Sequence, residues 1–477
     1  MNRIRLILLP SLLLAGCTVG PEYVRPQVQA PASFKAEEGW AAAAPADHID
    51  RGRWWQLFHD SDLDMLAERA LAANQTIAQA EANYRAARYA TREDRASLFP
   101  TVDLSGSAQR AATDLSSSGD GASSTYQVAI GASWEPDLFG RIRQTINNAQ
   151  ATAEARRADL ASAQLSIVGE LATNYFNLRA ADAEIALVEK TIAGYERALE
   201  IATNRYNSGI VARTDVFQAQ SQLASTRSEL EGLRRSRRTY ENAMAVLVGE
   251  PASSFSLPVS AQWAPTVPSV PAGVPSTIVQ RRPDIASAER SVAAANATIG
   301  VEKSAFFPTI SLSADAGTQA SSVGKLFSSA TSLWALGASL AETIFDAGAR
   351  TARVKQARAS YDAAVAGYKE TVLEAFQDVE DQLTAAQILA RQEQHLREAS
   401  IAADKSETTT LNQYREGQIT YTDVVTAQAT ALTARRSLLQ ASVDRQTAAV
   451  ALIQALGGSW EGESYQLFET PAASGGE

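Results

Sequence analysis

The sequence predicts a mainly α-helical fold with a small β part, built twice along one chain of 477 residues. Three observations carry that prediction. First, Asn204-Arg205-Tyr206-Asn207-Ser208-Gly209 returns as Asn412-Gln413-Tyr414-Arg415-Glu416-Gly417, always 208 residues later. Thr214-Asp215-Val216, Phe99-Pro100-Thr101-Val102 and Val248-Gly249 return at the same spacing as Thr422-Asp423-Val424, Phe307-Pro308-Thr309-Ile310 and Leu456-Gly457, so the chain is a duplication. Second, each copy holds a very long proline-free run with apolar residues three and four apart. Third, each copy holds two short stretches of two-residue alternation separated by a Ser/Gly-rich loop. The organisation is a leader at 1–16, an extended segment at 17–60, a first repeat at 61–250, a proline-rich linker at 251–280, a second repeat at 281–458 and a tail at 459–477.

Arg3 and Arg5 precede an apolar stretch from Leu6 to Leu14, too short to span a bilayer and of the form of a secretory signal. It ends Leu14-Ala15-Gly16-Cys17, which resembles the bacterial lipobox. That resemblance implies cleavage before Cys17 and acylation of its sulfur. Cys17 is the only cysteine, so an internal disulfide is excluded. Thr18 follows where an Asp would imply inner-membrane retention, which favours the outer membrane.

Each repeat opens with a helix, Asp62 to about Ser97 and Ile285 to about Ala305, stopped by Leu98-Phe99-Pro100 or Phe306-Phe307-Pro308. Two strands follow in each. Val102 and Leu104 face one way in the first strand, and Val128, Ile130, Ala132 and Trp134 share a face in the second. Ile310 and Leu312, then Trp334, Leu336, Ala338 and Leu340, repeat the pattern, with polar loops at Asp114–Ser124 and Thr318–Ser329.

From Arg141 to Tyr206, Ile142, Ile146, Ala149, Leu171, Leu178, Val188 and Ala202 lie on a coiled-coil seam, and Ala349 to Tyr414 is its counterpart. At about 1.5 Å per residue such a helix runs roughly 100 Å. Gly209 and Gly417 end these helices in the manner of a left-handed C-terminal turn. Return helices follow, Asp215 to Leu247 and Asp423 to Leu456, each after a threonine suited to N-capping.

Four alternating strands cannot close a barrel, and bare strand edges are not tolerated in lipid. Three copies would supply twelve strands, an even number within the range of outer-membrane barrels. A homotrimer also gathers six helical hairpins rich in Ala, Ser, Thr, Gln and Asn around a water-filled lumen. A periplasmic coiled-coil scaffold would account for the helices, but not for the paired strands.

The segment Cys17-Thr18-Val19-Gly20-Pro21-Glu22-Tyr23-Val24-Arg25-Pro26 resembles the start of NodT-type outer-membrane lipoproteins, TolC/OprM-like outer membrane factors of RND efflux systems. Trp54-Trp55-Gln56-Leu57-Phe58, Arg281-Arg282-Pro283-Asp284-Ile285, Phe139-Gly140-Arg141 and Phe345-Asp346-Ala347-Gly348 are similar to that family's later signatures, in the same order. The resemblance implies a trimer with a twelve-strand β-barrel, a periplasmic α-helical barrel and an equatorial collar. It implies a passive exit duct for drugs or other small toxic compounds. Its implied partners are a periplasmic adaptor, an inner-membrane RND transporter and, through acylated Cys17, outer-membrane lipid. A TolC-like duct for type I protein secretion is the alternative within the fold.

By the same resemblance the adaptor meets the hairpin tips, here Ser208, Gly209, Glu416 and Gly417. The two glycines serve turn geometry in any case. Gate candidates on the return helices are Asp423 and Thr426, with Asp215 and Gln218 in the first copy. Some relatives carry an acid at the place of Thr426; Asp423, three residues earlier, shares its helix face and could form a ring of negative charge in a trimer. The alternative for Asp423 and Asp215 is stabilisation of helix N-termini. Tyr206 and Tyr414 read as packing residues or as a latch. Trp54 and Trp55 read as packing residues, and Trp134 and Trp334 as markers of the membrane boundary.

Enzyme classes find no support. His48, His59 and His395 are scattered without metal-ligand spacing, and there is no phosphate-cradling loop or nucleophile elbow. No cofactor is expected. The formal charge of −10 supplies no basic surface for nucleic acid.

Overall fold

The computed structural model describes residues 19–29, 31, 34–35, 51–112, 122–261, 263, 265–268, 281–328 and 331–458. The leader, Cys17, the tail at 459–477, most of the first strand loop and the later part of the linker lie outside the described residues. A 3₁₀ turn at Arg51–Phe58 leads into α1 (Ser61–Ala73) and α2 (Gln75–Ala96), then β1 (Thr101–Ala112), β2 (Ala122–Trp134), α3 (Arg141–Asn207) and α4 (Arg213–Leu247). The second copy supplies α5 (Pro283–Ser304), β3 (Thr309–Ala320), β4 (Ser332–Ala341), α6 (Ala349–Arg415) and α7 (Tyr421–Ala455). The helices α3 and α6 each have 67 residues, and α4 and α7 each have 35, so the duplication holds residue for residue through both hairpins.

The opening helix of the first copy is not continuous from Asp62 to Ser97. It breaks at Asn74, whose backbone is extended. The Asn74 amide oxygen accepts from the N–H groups of Thr76 and Ile77 at 2.9 and 3.2 Å, while its amide nitrogen donates to Leu247 O at 2.9 Å. One buried side chain thus caps α2 and ties it to the end of α4. The threonines expected to cap the return helices also sit differently. Thr214 and Thr422 lie inside α4 and α7, whose caps are Ala212 and Thr420. The strands reach further into the loops than the alternation indicated, β2 beginning at Ala122 and β3 running to Ala320.

Both long helices start on an aspartate. Asp137 accepts from the N–H groups of Ile142 and Arg143, and Asp346 from those of Gly348 and Arg350. The Arg350 backbone N–H, followed by its guanidinium, holds the Asp346 carboxyl down at about 2.

Two compact units divide the chain. One comprises Met1–Gln27, Ala82–Arg157 and Ser287–Lys369 and contains the sheet. Its strands run antiparallel in the order β1-β2-β3-β4. An extended segment from Val19 to Arg25 is fastened to this unit. Val19 N donates to Phe139 O at 3.1 Å, Asn296 donates to Pro21 O at 3.1 Å, and the Tyr23 hydroxyl donates to the buried carboxylate of Glu289. Burial, then the bond to Glu289, raise the Tyr23 phenol above its ordinary range.

The other unit comprises Val28–Glu81, Ala158–Ala286 and Glu370–Glu477. Its interior holds Leu63 and Leu66 of α1 with Leu171, Tyr175, Phe176 and Leu178 of α3, of which Leu171 and Leu178 are expected seam positions. Trp54 and Trp55 are buried, with ring centroids 6.1 Å apart; Phe58 meets Phe176 at 4.9 Å, and Phe176 stacks on Trp263. Asp182, 0% exposed, accepts from Arg237 at 2.6 Å, from Arg179 at 3.4 Å and from Ser260 N at 3.1 Å. Arg179 also donates to Pro258 O and Arg237 to Leu257 O, so charged side chains of α3 and α4 hold the backbone of the linker's first part.

Candidate functional site

The sheet is the first part of the site. Side chains directly opposite on paired strands share a face. Register places Val102–Ala132–Ala314–Leu336 and Leu104–Ile130–Ala316–Trp334 in rows on one face. The other face carries Asp103–Gly131–Asp315–Ala335 and Ser107–Gln127–Gln319. Val102, Leu104, Ile130, Trp334, Leu336 and Leu340 are all more than half exposed. An apolar band of this kind belongs against hydrocarbon, and the polar face against water. Periodicity alone had placed these residues on common faces; the register adds which rows they form. Trp134 stands opposite Leu312, toward the end where the helices join, and Trp334 opposite Ala316, nearer the loops. The helix-joined end also exposes Phe99, Phe306, Phe307 and Phe345, whose exposure no periodicity signals because they flank prolines and turns.

The hairpin tips are the second part. Gly209 and Gly417 adopt φ of +73° and +79°, where other L-residues are strained. Each closes the same doubly bonded turn: Gly209 N donates to Tyr206 O and Ile210 N to Arg205 O, while Gly417 N donates to Tyr414 O and Gln418 N to Gln413 O. Ser208 spends its hydroxyl on Asn204 O, and Glu416 accepts from Gln418 at 2.8 Å.

The return helices differ at their starts. Asp423 accepts from Thr420 N at 3.0 Å and from the Thr420 hydroxyl at 2.7 Å, closing a capping box. Asp215 occupies the first turn of α4, whose cap residue Ala212 has no side-chain bond to give. Asp423 and Thr426 are both exposed, on the same side of α7 as Thr422 and Thr430. Thr426 donates to Thr422 O and Thr430 to Thr426 O, leaving that face lined with hydroxyl oxygens and one carboxylate. Gln218 is exposed on α4.

Of the two tip tyrosines, Tyr206 is 39% exposed and Tyr414 is 1% exposed. Tyr414 meets Tyr421 edge-on at 5.4 Å in a cluster with Ala198, Ala219 and Val424, and lies 4.7 Å beneath the Arg205 guanidinium. Arg205 donates to Tyr414 O as well. Neither this pair nor the ion pairs of Arg435 and Arg436, further along α7, were visible in the sequence. Arg436 reaches Glu184 on α3 and Glu229 on α4; Arg435 reaches Asp404 and Glu407 on α6. These partners lie hundreds of residues apart or on other helices, so local spacing gives no signal for them.

A sheet with a lipid-suited face and a polar face, joined to duplicated long helical hairpins, defines an outer-membrane channel. The chain belongs to the outer membrane efflux protein family, whose profile matches residues 66–250 and 274–458. It is 33% identical over 457 residues to the probable efflux pump outer membrane protein TtgC of Pseudomonas putida, covering 94% of each chain. It is 30% identical to the cation efflux system protein CusC of Escherichia coli, over 94% of this chain and 97% of that one. Among solved structures, the outer-membrane channel OprN superposes with a TM-score of 0.85 at 30% identity, over 93% of this chain and 99% of that chain. The protein is therefore an outer-membrane efflux channel, a passive conduit and not an enzyme.

Proposed function

We propose that this channel is the exit duct of a tripartite RND-type efflux pump, conducting drugs or other small toxic compounds outward. The observation that carries this reading is the four-strand sheet with two faces and two unpaired edges, β1 and β4. In lipid those edges must be paired, and three copies do so with twelve strands. The homotrimer brings the helical hairpins into a tube whose tips, at Ser208–Gly209 and Glu416–Gly417, meet a periplasmic adaptor. Acyl chains on Cys17 add a second hold on the outer membrane. Stable anchoring follows from more than one chain, each buried CH₂ contributing about 0.8 kcal/mol.

Asp423 is proposed to carry two roles, closing the cap of α7 and presenting a ring of negative charge to the lumen with Thr426 beside it. Asp215 and Gln218 form the corresponding level of α4. Planar-bilayer recording of the purified protein tests the reading. The wild type should conduct with a preference for cations, and Asp423→Ala should raise conductance or weaken that preference. A protein that inserts but never conducts would remove the duct reading, and an unchanged trace for Asp423→Ala would leave that residue a cap alone.

A further inference from the structure

The repeat makes α2 and α5 equivalent position for position, each of 22 residues and offset by 208. One face of α5 is covered. Gly20 packs against Gly300, Asn296 donates to Pro21 O and Tyr23 donates to Glu289, so the strap from Val19 to Arg25 runs along this face. Toward the sheet the covered positions are small or uncharged, and they have to be. A Cβ on Gly300 would come within 2.7 Å of the Gln144 side chain, and one on Gly20 within 3.1 Å of Gly300 Cα.

The same face of α2 carries no strap and is basic. Asn296 corresponds to Arg88, Gly300 to Arg92 and Lys303 to Arg95. Arg88, Arg92 and Arg95 follow at steps of four and three, so they stand in one line along the helix, and all three are exposed. Glu93 and Asp94 fall off that line. The Arg88 guanidinium lies 5.6 Å from the Tyr84 ring centre, and that of Arg92 lies 5.4 Å from the ring centre of Tyr89, itself 62% exposed. Both cations are thus held over aromatic faces, and none of the three arginines is paired with an acid among the described residues.

We infer that this line of arginines on α2 binds the anionic headgroups of phospholipids in the periplasm-facing leaflet of the outer membrane. Depth and charge both argue for it. Arg95 stands one helical turn, about 6 Å, before Phe99, and β1 then begins the apolar face at Val102 and Leu104. Phe99, Val102 and Leu104 are all more than half exposed. The headgroup layer on each side of the hydrocarbon is about 5–8 Å deep, so the line enters it where the lipid-facing band ends. The strap gives a second measure of depth. Gly20, at the level of α5 equivalent to Arg92, is three residues from Cys17, at most about 11 Å of chain. A long cationic side chain there meets phosphate rather than hydrocarbon. This rests on the outer-membrane placement of the sheet and adds the class of lipid that the helix beneath it selects.

Lipid titration tests the assignment. The full chain is purified in a non-ionic detergent, phosphatidylglycerol or phosphatidylcholine is added, and lipid bound per trimer is counted by native mass spectrometry. Wild type should favour phosphatidylglycerol, and the preference should shrink in high salt. Each basic residue near an anionic surface contributes about fivefold in affinity. Arg92→Gln should therefore weaken phosphatidylglycerol binding about fivefold, and Arg88→Gln/Arg92→Gln/Arg95→Gln on the order of a hundredfold, with phosphatidylcholine binding unchanged. Removing the same charge from α3 and α4, in Arg197→Gln/Arg235→Gln/Arg238→Gln, should leave both lipids bound as in wild type. Should the triple α2 variant fail to assemble, Arg92→Glu alone is expected to weaken phosphatidylglycerol binding roughly 25-fold. No preference in wild type, equal binding by the α2 variants, or an equal loss in the α3 and α4 control would overturn the assignment. So would a loss of trimer with binding per trimer unchanged, which would turn the line toward a neighbouring copy instead. A phosphatidylglycerol preference that follows these arginines stands even in a trimer that never conducts, where only the duct reading falls.

Discussion

The two helical hairpins share backbone length and tip geometry, yet each is fastened by a different acid. In the first, Arg237 of α4 reaches Asp182 of α3 at 2.6 Å. In the second, the residue 208 positions later, Arg445 of α7, reaches Glu393 of α6. Asp182 corresponds to Ala390, and Glu393 to Ile185, so the cation has stayed and the anion has moved by one helical turn. The surroundings explain why both places work. Asp182 is fully buried because it also receives Arg179 and the linker's Ser260 N–H. Glu393 is shared with Arg397 and Ser442 and stays nearer the surface of its hairpin. A duplicated helix pair needs one charged tie at that level, and either turn can supply it.

The comparison breaks first at Asp182. Asp182→Ala leaves Arg179 and Arg237 without their shared buried carboxylate and the linker's Ser260 N–H without its acceptor. A loss of about 3–5 kcal/mol is expected, read as a lower midpoint in denaturant unfolding of the detergent-solubilised protein. Glu393→Ala should cost less, about 1.5–3 kcal/mol. Restoring an acid on the first hairpin's turn, Ala390→Asp in the Glu393→Ala background, should recover part of that loss. No recovery would mean that the two ties are not interchangeable.

Glu393 also gives a pH signature. Burial raises its carboxyl, but Arg445, Arg397 and Ser442 outweigh burial and lower it below the ordinary value. A group with a depressed folded pKa adds stability that is present above its unfolded value, about 4.3, and lost as pH falls through the folded one. The stability difference between wild type and Glu393→Gln should therefore be constant near neutrality and shrink below about pH 4.

The smallest effects belong to the tips. Gly417→Ala forces an alanine into the left-handed region at a cost of about 1–2 kcal/mol, and Gly209→Ala should cost the same because the turns match. At the return-helix starts the hairpins part company. Asp423→Ala should lower stability by about 0.5–1 kcal/mol, while Asp215→Ala, without a capping partner, should shift it less. Thermal unfolding of the two variants side by side separates them.

Most of the architecture was legible locally. Constant spacing gave the duplication, three- and four-residue steps gave α3 and α6, and alternation gave the strands with their faces. The break at Asn74 was hidden because its neighbours keep a helical pattern, and the cap depends on a partner at Leu247. Thr422 was a fair N-cap by type, but Thr420 wins through its bonds with Asp423. Of the site, Gly209, Gly417 and the shared face of Asp423 and Thr426 could be read from spacing. The ties through Asp182, Glu393, Arg435 and Arg436 could not, since each joins helices that only folding brings together.

Closure of the sheet by identical copies is the claim on which the channel depends, and native mass spectrometry of the protein extracted from outer membranes measures it directly. A single species of three chains is the expected result. A stable monomer that keeps its strands in lipid would contradict it, because β1 and β4 would then have to leave their backbone groups unpaired in hydrocarbon.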